Sequence, residues 1–178
     1  ALALGAAVFF VKSRQEKAFE TNTARARGET LFAEFPADKV AGISIKSADS
    51  SITLKQGKDG WAVAEREDYP ANVSRINELL RTLMEVKVTQ GIEASSSYDN
   101  RFGMDANATT EADHGLQLTF LDSAGQQVAA VALGKQTEAA GDGGPFGMGG
   151  GATGRHIRNR AEDNAIYVTS ETFPRVSA

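Results

Sequence analysis

The sequence predicts an α+β fold: an N-terminal membrane anchor helix, then antiparallel sheet units packed on one amphipathic helix. Three observations predict it. The chain opens on the unbroken apolar run Ala1 to Val11. Short stretches of alternating apolar and polar residues, separated by turn residues, recur through most of the remaining chain. One segment alone, between residues 70 and 87, carries apolar residues at helical spacing.

The apolar run "ALALGAAVFFV" stops at Lys12 and Arg14. As a helix it is ~16 Å long at ~1.5 Å per residue, about half of a membrane crossing. A cleaved signal peptide ends in small neutral residues. Here Phe9, Phe10 and Val11 lead directly into Lys-Ser-Arg, as a retained anchor meets lipid headgroups. Residues 1–11 are therefore expected to be part of a transmembrane anchor in contact with membrane lipid. Phe9 and Phe10 are candidate contacts with other membrane helices. Residues 12–30, "KSRQEKAFETNTARARGET", carry no apolar stripe. They read as a helical stalk or linker that Gly28 ends.

Residues 31–178 read as the α+β domain. Val40, Ile43 and Ile45, then Ile52 and Leu54, then Trp61 and Val63 alternate with polar residues. The turns at Ala48-Asp49-Ser50 and Gly57-Lys58-Asp59-Gly60 make these a three-stranded meander with one buried face. Trp61 follows a tight turn and reads as a core anchor rather than a sugar-stacking platform. In "YPANVSRINELLRTLMEV", Ile76, Leu79, Leu80 and Leu83 form a single stripe, with Asn72 or Ser74 as the cap. That stripe belongs on the sheet face of Ile43, Ile45, Ile52, Leu54 and Trp61. "KVTQGI" reads as a short strand and "SSSYDNRFGMD" as a polar loop. "GLQLTFLDSAGQQVAAVALG" reads as a second hairpin. "RHIRN" and "AIYVTSETF" read as a further strand pair and the start of a helix. The order suggests two sheet units flanking the helix.

Composition narrows the chemistry. The 178 residues carry a formal net charge of −4, which gives no basic surface for nucleic acid. There is no cysteine, so disulfides, thiolate catalysis and zinc–cysteine sites are excluded. The stretch "GDGGPFGMGGGATGR", residues 141 to 155, holds eight glycines, but it is no phosphate cradle. Gly-Lys occurs at 57–58 and 134–135, followed by Asp59 and Gln136, where a Walker loop needs Ser or Thr. Gly147, Gly149 and Ala152 match the letters of a dinucleotide loop, yet a strand pattern comes next instead of a helix. Residues 136–154 are therefore expected to be a mobile Gly-rich loop between two antiparallel strands. It binds no nucleotide, and Phe146 and Met148 are its candidate partner contacts.

Other candidate sites are sparse. Glu111, Asp113 and His114 are three potential metal ligands without a second histidine nearby, so a polar loop is the expected reading and no metal or cofactor is assigned. His156 and Arg158 fall on one strand face, with Ile157 on the other, beside Arg155 and Arg160. That face is either solvated or an anion or lipid-headgroup patch. No G-x-S-x-G elbow occurs, and no catalytic residue is assigned.

The order of motifs resembles the DUF4340 family of bacterial membrane-anchored proteins over about residues 31 to 173. The motifs are Gly60-Trp61, Pro70-Ala71-Asn72 opening a Leu-rich helix, Phe102-Gly103-Met104-Asp105, Leu133-Gly134-Lys135-Gln136-Thr137 and Ile166-Tyr167-Val168. The glycine stretch is longer than the loop of that family, and many members continue past the point where "FPRVSA" ends this chain. The resemblance implies no catalytic residue. It implies a non-enzymatic accessory subunit of a larger membrane protein complex, such as an ABC-type transport system. It implies integral membrane partners and a single-pass anchor in the bacterial inner membrane, with the domain on the periplasmic or extracytoplasmic side. Lys12, Arg14 and Lys17 on the domain side of the anchor pull against that orientation. The alternative is a cell-wall or polysaccharide-binding module with Trp61, Tyr69 or Tyr98 as stacking platforms.

Overall fold

The computed structural model describes residues 23–137, 154–171 and 173. The anchor, most of the stalk, the glycine stretch and the candidate contacts Phe9, Phe10, Phe146 and Met148 lie outside the described residues. Among the described residues, no helix is long and apolar enough to cross a membrane.

The domain is α+β and mainly β. Nine strands form one antiparallel sheet: β1 (Gly42–Lys46), β2 (Ser51–Gly57), β3 (Gly60–Val63), β4 (Tyr69–Pro70), β5 (Gln90–Glu93), β6 (Leu116–Leu121), β7 (Gln127–Thr137), β8 (Gly154–Asn159) and β9 (Ala165–Thr169). Their spatial order is β4-β3-β2-β1-β6-β7-β8-β9-β5. The predicted meander is present, with Ile45 opposite Ile52 and Leu54 opposite Val63. The two expected sheet units are fused into one, because β1 pairs directly with β6, Ile45 opposite Leu118 and Ile43 opposite Phe120. No helix begins after β9 among the described residues.

Among the described residues two α-helices accompany the sheet, α1 (Val73–Glu85) and the single turn α2 (Glu111–His114). Asn72 caps α1 by accepting a hydrogen bond from the Arg75 amide at 3.1 Å. The helix joins β4 to β5, which are the two opposite edges of the sheet. Eight strand spacings of ~4.8 Å make a flat sheet ~38 Å wide. Thirteen helical residues supply ~20 Å, and six non-helical ones between Pro70 and Gln90 supply ~20 Å more. The connection therefore crosses the whole sheet face, and the stripe of α1 becomes the lid of the core. Ile76, Leu79 and Leu83 are buried there with Ile43, Ile45, Trp61 and Phe120, and Leu80 lies at the margin, half-buried.

The folded body starts before residue 31. Residues 23–30 are not helical; they run as turns alongside the segment after α1. Gly28 N–H donates to the Val88 carbonyl at 2.7 Å, Leu31 N–H to Val86 at 2.9 Å, and Val88 N–H to Glu29 at 2.9 Å. Backbone pairing with a neighbouring segment has replaced the internal bonds of a helix, because this stretch has no apolar stripe to hold a helix on the body. Beyond it, Leu31, Phe32, Phe35 and Val40 are buried. The Phe32 and Phe35 rings meet edge to face at 5.1 Å, as do Phe35 and Phe120.

Strand alternation divides the sheet into two buried faces. Val131, Leu133, Ile157 and Tyr167 join the core under α1. Ala132 and Ile166, of opposite parity, join Ala94 and Met104 in a smaller cluster. The segment from Ala94 to Asp105 covers that second face.

Candidate functional site

Three places on the molecule concentrate chemistry. The first is a charged hub beneath the segment covering the second face. His156, Arg158 and Arg160 alternate along β8 and its end onto this face, as the sequence predicts for the first two. The face is not a solvated patch. Arg158 is 1% exposed and its Nε lies 3.0 Å from Asp99 Oδ1. The two atoms form an ion pair without hydrogen-bond alignment. Its terminal nitrogens donate to the carbonyls of Ala94 and Asp163 at 3.0 Å and Ser95 at 3.1 Å. Burial lowers the Arg158 pKa from its ordinary value, and the Asp99 charge opposes that shift. Arg160 bonds the second Asp99 oxygen and donates to the Met104 carbonyl at 2.6 Å and to Gln117 Oε1 at 2.9 Å. Every group here is engaged by the protein itself. The hub ties residues 94–105 to the sheet, with both guanidinium groups engaged by Asp99 and by backbone carbonyls.

The second place is a knot where two of the family-like motifs converge. Lys135 N–H donates to the Phe102 carbonyl at 2.8 Å, joining Phe102-Gly103-Met104-Asp105 to Leu133-Gly134-Lys135. A Cβ on Gly134 would collide with the Phe102 carbonyl, and one on Gly115 with the carbonyls of Gly103 and Leu133. The absence of side chains is what lets these backbones touch. Both histidines of the chain sit here. His114 is 1% exposed, with Nδ1 2.9 Å from the Gly115 carbonyl. The His156 ring lies 5.0 Å from that of Phe102, with Nδ1 3.0 Å from the Lys135 carbonyl. Burial is the main cause that lowers the His156 pKa from its ordinary value. Glu111, Asp113 and His114 diverge: Asp113 turns outward to Lys135 Nζ at 3.0 Å while His114 turns inward. Among the described residues, no group of three or more such side chains could hold a metal ion.

The third place is open and is the candidate site. The first turn of α1 stands away from β1, β2 and β3, leaving an apolar groove of about 290 Å³. Ile45, Ile52, Leu54 and Val63 floor it, and Ile76 and Leu79 wall it. Ile52 and Val63 are only half-buried although they belong to the core face. The rim carries Arg66, Arg75 and Tyr69. Tyr69 is 68% exposed, and neighbouring Val73, at the start of α1, is 44% exposed. Among the described residues, neither Arg66 nor Arg75 has an ion-pair partner. No carboxylate lines the groove, and Asp68 instead lines a separate cleft beside the β2–β3 hairpin. The loop that presents Arg66 and Tyr69 is held by two successive left-handed residues, Glu67 (φ 51°) and Asp68 (φ 55°). Such backbone costs of order 1–3 kcal/mol per residue and persists where the surroundings fix it.

Sequence reasoning missed this groove because its floor residues read as ordinary core positions. The signal was position: Tyr69 and Val73 are large apolar residues on either side of Pro70 and the helix cap, ahead of the buried part of the stripe that begins at Ile76. Of the proposed stacking platforms, Trp61 is buried in the core, while Tyr69 is exposed on the edge strand β4 and Tyr98 is exposed in the segment that covers the second face. No family model, curated protein or solved structure matches this chain.

Proposed function

We propose that this chain is a non-enzymatic, membrane-anchored accessory subunit of a larger membrane protein complex, and that the groove beside α1 is a contact face for a companion subunit. The observation that carries the reading is an apolar groove at the start of α1, rimmed by two arginines that have no ion-pair partner among the described residues. The groove leaves Ile52 and Val63 half-exposed beside Tyr69 and Val73, apolar surface that a companion could cover. The internal arginines support the same reading by contrast, since Arg158 and Arg160 are spent on Asp99 and on backbone carbonyls. The apolar run Ala1 to Val11 is read as the anchor, with Phe9 and Phe10 as candidate contacts with membrane partners. Phe146 and Met148 remain candidates for a further contact. The likeness of motif order to DUF4340 proteins favours an export-type assembly and a domain on the extracytoplasmic side.

Gentle detergent extraction followed by native-size separation tests the reading. The chain is expected to migrate in a much larger complex with defined companion chains. A monodisperse monomer from native membranes, at several detergent strengths, overturns it. That result would move the weight to polysaccharide binding, which the exposure of Tyr69 and Tyr98 favours but their placement on separate elements weakens.

A further inference from the structure

The groove also restricts what can occupy it. Its floor is the sheet and its wall is α1, so an element laid beside α1 continues an existing layer of helix on sheet. Strand addition is disfavoured at the neighbouring edge, because β4 is two residues long and Pro70 has no N–H to offer. A helix ~10 Å across is too wide to sink into a groove of this volume. It can ride over the opening and insert side chains, as amphipathic helices do in apolar grooves. Charge sets the remaining chemistry. The molecule as a whole is negative, at −4, yet the lining of this groove is positive, with two guanidinium groups and no carboxylate. Guanidinium groups at an apolar rim are suited to carboxylates, which they can bind through paired N–H donors.

We propose that the groove receives an amphipathic helix of a companion protein, which lays an apolar stripe against Ile52 and Val63 and offers a carboxylate to Arg66 and Arg75. This rests on the proposed docking role of the groove and adds the chemistry of the partner. The rim charges select and orient the helix, and the apolar floor supplies the buried area.

The test uses the full chain in its native membranes. Tyr69 is replaced by the photoreactive p-benzoyl-phenylalanine, an aromatic substitution at an exposed rim position, and the cross-linked product is mapped by mass spectrometry. The expected product joins residue 69 to an amphipathic segment with Asp or Glu on or beside its apolar stripe. Arg66→Glu with Arg75→Glu should lower the yield about tenfold or more, and Arg66→Lys with Arg75→Lys should retain most of it. Unchanged thermal melting of both double variants shows that the fold is intact. A companion cross-link that survives charge reversal overturns the proposed chemistry and leaves the docking role standing. A cross-link to lipid, to a second copy of this chain, or to a segment without a carboxylate also overturns the inference. No cross-link, together with a monomer in native-size separation, overturns both.

Discussion

Asp99 is the residue on which most of the second face depends. It lies in the polar run "SSSYDNRFGMD", where nothing in the spacing distinguishes it from its neighbours, yet it faces both Arg158 and Arg160. Asp99→Ala strips the partner from a guanidinium that is 1% exposed. A loss of ~3–5 kcal/mol in chemical denaturation is expected, against a far smaller one for an exposed pair such as Asp113–Lys135. The alternation in "RHIRNR" told which side chains share a face, and the structure agrees. It did not tell that the face is covered, because the covering segment comes some sixty residues earlier in the chain. His156 gives a pH effect of defined sign. Its folded pKa is depressed chiefly by burial, so the unfolded chain takes up the proton first as pH falls. Its contribution to stability is complete above the ordinary histidine value of about 6.5 and declines below it toward the folded pKa. Melting temperature measured from pH 7 to pH 5 should fall less steeply in His156→Gln than in the parent.

Among the elements, α1 was the most legible, because thirteen residues with one stripe and one cap leave little ambiguity. Leu83→Ala, at a fully buried position, should cost ~2–5 kcal/mol. Leu80→Ala, half-buried at the margin, should cost less than Leu83→Ala in the same urea titration, and Asn72→Ala about 1 kcal/mol through the lost cap. Equal losses at Leu80 and Leu83 would mean that the stripe is centred elsewhere. The strands were also legible, since apolar alternation marks them one at a time. The strand order was not. Pairing of β1 with β6 joins residues more than seventy positions apart, and no local pattern records a long-range partner. The same limit hid the non-helical course of residues 23–30, which is set by Val86 and Val88 across the fold.

For the molecule as a whole, the boundary of the folded body decides which truncations survive. Near the N-terminal end of the described residues the Arg25 guanidinium meets Glu162 at 3.3 Å, and Glu162 accepts a hydrogen bond from Tyr167 at 2.6 Å. If the anchor reading holds, removal of residues 1–22 is expected to leave a soluble, folded domain in circular dichroism. Removal of residues 1–31 should lower the melting temperature, since Leu31 is fully buried. At the other end of the sheet, Thr137 and Gly154 are direct partners in the β7–β8 ladder. Replacing residues 138–153 by a short turn should keep the fold, because loop length enters stability only slowly. Saturable nucleotide binding that disappears in this variant would show a role for the glycines that their sequence context argues against.

The edge-to-edge path of α1 also sets a timetable for synthesis. Gln90 pairs with Val168 and Glu93 with Ala165, so β5 is made long before β9, its strand partner among the described residues. At ~5–20 residues per second, the intervening seventy-odd residues take about 4–15 s to emerge. During that interval the nascent chain holds a completed meander and a helix whose far end has nowhere to settle. The sheet closes when β9 emerges and takes its place between β8 and β5. A stall or truncation after β8 should leave a chain prone to capture by chaperones and proteases, even though most of its strands are already present.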